Sequence, residues 1–205
     1  MDDFWTWLKA QALAGDPETP YRRPGVAWGN PEEARQLLVV GFNPTTAIAR
    51  TLVAPSEYAA TLKSGPKLTA LLTDARLAAR EARSRSRARM DMLREILDRP
   101  LLETNLYPVP STEMKTLTRP NRPRDFFPEL RLRAHPRAIV FLGRWVVDEL
   151  PGLGLKAPRP WEEDRPVKPE KVDGILCFAG PHPAKRGLSS LQWIRFGCAV
   201  ARAIA

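Results

Sequence analysis

The chain has 205 residues, with 32 Lys+Arg against 23 Asp+Glu and a formal net charge of +9. An apolar share of 43% beside 27% charged residues excludes a disordered chain, and two cysteines exclude a disulfide framework, a four-cysteine metal site and an iron–sulfur cluster. Of the basic residues 24 are Arg and 8 Lys; guanidinium forks suit phosphate, and an arginine-rich overall composition explains the excess equally well.

A chain of this length is expected to form one domain, residues 1–205, able to bury a full core. Residues 4–8 (FWTWL) open an amphipathic helix that fades at Gly15, and a connector rich in Pro, Gly and Arg runs on to Asn30. Four short apolar runs read as buried strands: 36–41 (QLLVVG), 101–106 (LLETNL), 137–143 (RAIVFLG) and 174–180 (GILCFAG). Between the first two, residues 68–98 keep helical spacing, with a break expected near Ser84 to Ser86. Six Arg against Glu81 alone occupy 76–89, a pattern that fits a solvated helix face or a flank for a DNA backbone. Residues 125–134 and 145–150 read as short helices around the third strand, 151–173 as a long surface loop, and 189–205 as a closing amphipathic helix. Strands alternating with helices predict an α/β fold with a parallel sheet covered on both faces.

Cys177 and Cys198 lie in apolar patterns and read as reduced core residues. The first residues lack a basic leader pattern, and the longest apolar stretch, 138–147, contains Arg144 and is too short for a bilayer. A cytoplasmic protein with no membrane partner is the expectation.

In an open parallel sheet, ligands bind beyond the carboxyl ends of the strands. Those ends here carry Phe42-Asn43-Pro44, Thr104-Asn105-Leu106, Gly143-Arg144 and Pro181-His182-Pro183-Ala184-Lys185-Arg186. No carboxylate pair, serine elbow, phosphate loop or His/Cys cluster accompanies them. What remains suits a neutral polar ligand. An asparagine amide can read a base edge with donor and acceptor together, and a histidine can donate to an oxygen that gains charge.

In this order and at these strand ends, GFNPTT, ETNLYPVPS, RAIVFLGRWVVDEL and GPHPAKRGLS resemble the uracil-DNA glycosylase superfamily. The first resembles the Asn-Pro form of its leading motif, as in the mismatch-specific and single-strand-selective branches; the last resembles its His-Pro-Ser motif and the minor-groove loop that follows. The likeness covers residues from Gln36 onward. It implies a three-layer α/β/α sandwich with a four-stranded parallel sheet. It also implies a monofunctional glycosylase that removes uracil or a related deaminated base from DNA, acting as a monomer without metal or organic cofactor.

By the same resemblance, Asn43 would hold the attacking water and His182 would stabilise the departing base. Asn105 would read the base edge, with Phe42, or else Tyr58, stacking on the base. Lys185, Arg186 and Leu188 would form the loop that clamps phosphate and wedges into the stack, and Arg144 could reach a phosphate. Two positions depart from the pattern: Thr45 stands where the family has Gly, and Ala184 where it has Ser. Two other classes fit the same residues, a catalytically silent nucleic-acid binder and an enzyme of free nucleosides or bases.

Overall fold

A computed structural model describes residues 4–44, 46–78, 85–111, 122–163 and 165–205. The elements run α1 (Phe4–Leu13), β1 (Gly25–Trp28), α2 (Pro31–Ala34), β2 (Leu37–Gly41), α3 (Pro55–Thr61), α4 (Gly65–Ala78), α5 (Arg85–Leu97) and β3 (Leu101–Asn105). They continue with α6 (Phe126–Ala134), β4 (Ala138–Leu142), α7 (Arg144–Glu149), a 3-10 turn (Leu150–Leu153), β5 (Glu170–Val172), β6 (Ile175–Gly180) and α8 (Ser190–Ile204).

The sheet has six strands in the order β1-β3-β2-β4-β6-β5. It is mixed: β3, β2, β4 and β6 pair in parallel, while β1 and β5 add antiparallel edges. The expected four-stranded parallel sheet is therefore too narrow. Its outer strands are GVAW, within the N-terminal connector, and EKV, at the end of the 151–173 loop. Neither announces itself, the first being only 4 residues long and the second 3, two of them charged.

Side chains alternate across the central strands, as a period of two requires. Leu38, Val40, Leu102, Ile139 and Phe141 face one core, which α1, α3, α4, α6 and α7 cover with residues such as Leu8, Tyr58, Leu72, Phe127 and Val146. Leu37, Val39, Leu101, Val140 and Phe178 face the other, covered by Leu93 and Leu97 of α5 and Trp193 and Phe196 of α8. Burial on both faces is why these strands read as unbroken apolar runs. Cys177 is buried, which pushes its thiol up to about 11, and neither cysteine is paired.

Local signals set several boundaries. Asn30 caps α2 by accepting from the backbone amides of Glu32 and Glu33, and Ser189 with Gln192 forms a reciprocal capping box at the start of α8. His135 ends α6 in the left-handed region, with its backbone N–H donating to the Arg131 carbonyl. The helical stretch 68–98 divides into α4 and α5; the junction 79–84, with part of the arginine run, lies outside the described residues. Among the described residues no helix is long and apolar enough to cross a membrane.

Candidate active site

The carboxyl ends of β2, β3, β4 and β6 open into a cleft of about 540 Å³. Of the residues singled out in the sequence, Phe42, Asn43, Asn105, His182 and Lys185 line it. They come from loops separated by as much as two thirds of the chain, and the parallel register gathers them: Gly41 pairs with Asn105, and Leu142 with Gly180.

Asn43 is held by its amide nitrogen, which donates to the carbonyls of Pro44 (3.2 Å) and Ser111 (3.1 Å). Two carbonyl partners fix which end is nitrogen. The amide oxygen is therefore turned away from them, and it accepts no hydrogen bond from the described residues. The Ser111 backbone N–H donates to the Pro44 carbonyl at 2.9 Å, so the two strand-end loops brace each other.

Asn105 makes no side-chain hydrogen bond with the described residues, and its amide stands beside Gly41. A Cβ at position 41 would lie 2.8 Å from the Asn105 amide oxygen. The obstacle is the free end of a side chain, so it can swing aside without unfolding anything. Gly41→Ala is thus expected to leave thermal stability nearly unchanged while lowering ligand affinity in the cleft, checked by melting and binding titrations on the same preparation.

His182 follows β6, and its Nδ1 accepts the Ala184 backbone N–H at 3.1 Å. A neutral ring whose Nδ1 accepts must carry its proton on Nε2, so Nε2–H is a donor. One side of the ring is open to solvent, yet desolvation against the cleft wall lowers its pKa below the ordinary 6.5. Gly143, at φ +102°, makes the room: a Cβ there would lie 3.1 Å from the His182 Cβ and Cδ2, and the left-handed backbone disfavours any side chain. An NMR titration should therefore give a His182 midpoint below 6.5; a midpoint at or above that value would show that the ring is not desolvated.

Phe42 is 7% exposed, packs edge-to-face on Tyr107 with centroids 5.3 Å apart, and has the Arg122 guanidinium 5.4 Å from its ring centre. Lys185 reaches the cleft but is committed: its Nζ lies 2.8 Å from the Glu163 carboxylate and 4.8 Å from the Trp161 ring centre. Gln192 donates to the other Glu163 oxygen, and the Lys185 and Gln192 hydrogen bonds hold the Glu163 carboxyl below its ordinary range. The 151–173 segment is thereby a brace for the histidine loop as well as a surface loop.

Three expectations change, and two of the expected phosphate contacts lie outside the cleft. Tyr58 is fully buried, stacked on Tyr21 at 4.3 Å and donating to the Arg22 carbonyl at 2.6 Å, so it is a core residue with no ring face for a base. Leu188 is 4% exposed within the α5/α8 core, so its side chain has no free reach into a base stack. Arg144 points to solvent in an i,i+4 pair with Asp148 (3.3 Å), and neither it nor Arg186 lines the cleft. The described part of the arginine run turns largely inward. Arg89 donates to the carbonyls of Pro183 (2.7 Å), Lys185 (3.2 Å) and Leu188 (2.5 Å), fixing the loop that carries His182.

The sequence reading missed Glu103, Arg87, Arg23, Ser111 and Trp145, which also line the cleft. Arg87 donates through both terminal nitrogens to the Glu103 carboxylate (3.0 and 2.7 Å) and lies 3.3 Å from Asp91. Arg94 pairs with Asp91 and stands over the Trp28 ring. Burial alone would raise the Glu103 carboxyl; the charge and hydrogen bonds of Arg87 outweigh it and hold the group below its ordinary range. Among the described residues no three His, Cys, Asp or Glu side chains gather as a metal site would require. No protein-family model matches the chain, and no curated protein matches it in sequence.

Proposed function

We propose that the protein is a DNA glycosylase that hydrolyses the bond between deoxyribose and uracil or a related deaminated base, leaving an abasic site. The observation that carries this reading is the convergence of three uncommitted polar groups in one cleft: the Asn43 amide oxygen, the whole Asn105 amide and the His182 Nε2–H. A uracil edge alternates carbonyl acceptors with an N–H donor. An asparagine amide complements such an edge with one donor and one acceptor.

In the proposed reaction the C1′–N bond breaks and its electron pair leaves with the base. His182 Nε2–H donates to the base oxygen where that charge collects, an interaction stronger in the transition state than before it. Asn43 holds a water by its carbonyl oxygen, on the face where the sugar becomes cationic. The water oxygen bonds to C1′ and its proton passes to solvent. Asn43 is too weak a base to take that proton earlier. Glu103, the one carboxylate among the described residues lining the cleft, is occupied at both oxygens by Arg87. The chemistry in this reading rests on leaving-group stabilisation by His182 and water placement by Asn43.

The four mutually parallel strands flanked by helices support the finer fold reading, a glycosylase-type α/β/α sandwich widened at both edges. The test is incubation with oligonucleotides bearing uracil, hypoxanthine, xanthine or a thymine mismatch, followed by alkali. Strand scission at the modified position supports the reading, and intact strands with all four overturn it. The Lys185–Glu163 pair favours a second reading, an enzyme of free nucleosides, because it neutralises one of the cations lining the cleft. That reading requires oligonucleotide affinity that is absent or independent of salt, whereas phosphate tracking weakens steeply as salt is added.

A further inference from the structure

Six large apolar side chains are exposed among the described residues, and of these Trp145 is the one that lines the cleft. It is 66% exposed, while the next two residues of α7, Val146 and Val147, are 1% and 2% exposed. The helix is thus anchored in the core and presents the indole rigidly to solvent at the rim. Keeping an indole in water is unfavourable, and a large amphipathic ring with few rotamers is well suited to stacking. Arg144 beside it extends into solvent with 79% of its side chain exposed, tied only to the exposed Asp148, a pair worth little and readily exchanged for phosphate. Exposed aromatic faces beside cationic groups are how proteins hold single strands irrespective of sequence.

The neighbouring 183–188 loop offers no exposed aromatic of its own. Leu188 is in the core, Arg89 holds three carbonyls of the 183–188 loop, and Lys185 is tied to Glu163. From these observations we infer that Trp145 is the stacking platform for the base adjoining the one held in the cleft. This inference rests on the cleft being a base pocket.

The experiment uses the full chain, its Trp145→Ala and Trp145→Phe variants, and a labelled single strand of about 16 nucleotides with one central uracil. Anisotropy gives affinity, and alkali-labile scission gives base release. Loss of one stacked base should weaken single-strand binding by Trp145→Ala about ten- to a hundredfold, with Trp145→Phe close to the parent. The platform is overturned if Trp145→Ala binds the single strand like the parent. Should the variant instead dissolve a dimer in sedimentation while strand affinity stays constant, the indole belongs to a protein contact and the inference fails. Absence of base release from every substrate defeats the glycosylase reading alone. In that event Trp145-dependent strand binding still upholds the platform, and binding that is absent or Trp145-independent overturns it.

Discussion

Replacing His182 with alanine is expected to lower base release by about a hundred- to a thousandfold, the usual cost of losing one donor aimed at developing negative charge. The ring's proton is assigned to Nε2 because Nδ1 already accepts from Ala184, so the variant removes a donor and leaves the loop's other anchor, Arg89, in place. Strand affinity should change little, since the lost interaction strengthens only as the base departs. Asn43→Ala is expected to fall comparably in rate, but it also releases the Pro44 and Ser111 carbonyls, so some stability goes with it. Single-turnover release beside equilibrium binding separates these effects. Unchanged release in both variants would show that the reacting atoms lie elsewhere.

The second large effect concerns the wall of the cleft. Arg87→Ala removes both hydrogen bonds of the buried Glu103 carboxylate and leaves it Arg94 at 3.9 Å, so the loss approaches that of breaking a buried pair, about 3–5 kcal/mol. Arg87 is 9% and Glu103 17% exposed at the side chain, so solvent screening does little to soften the loss. Urea unfolding should show it as a shifted midpoint at constant slope. Replacing both residues together by apolar side chains should recover most of the loss, because the desolvation of two charges disappears with their attraction.

The pH dependence of this pair follows from the direction of the Glu103 shift. Its folded carboxyl is held below the ordinary range, so its stabilising contribution is complete above the unfolded value and disappears as pH falls through the folded one. The stability gap between the parent and Glu103→Gln should therefore be constant near neutrality and shrink in acid. A gap that widens in acid would contradict the assigned direction.

The central strands were legible because burial on both faces demands continuous apolar runs, and β2, β3, β4 and β6 carry them. β1 and β5 were not: GVAW is hidden among Pro, Gly and Arg, and EKV is two-thirds charged, so only their pairing with β3 and β6 makes them strands. Asn43, Asn105 and His182 were found because a parallel sheet points its strand ends at one place. Leu188 and Tyr58 were misplaced because order along a chain does not say which way a side chain turns. Glu103 and Arg87 were missed for a related reason. A carboxylate inside a strand announces no partner, and the guanidinium that neutralises it arrives from a helix 16 residues earlier. Trp145 sits in an apolar helical pattern, where its exposure has no signature.

The two antiparallel edge strands also bear on how the molecule meets copies of itself. A parallel sheet left open at its margins offers rows of unpaired N–H and C=O groups to another chain. Here those margins are closed by segments of 4 and 3 residues, too short to template a further strand, and one of them carries Glu170 and Lys171. Sheet extension between molecules is thereby disfavoured on both sides. Crowding or partial unfolding would have to strip away β1 or β5 before the apolar central strands became available for aggregation.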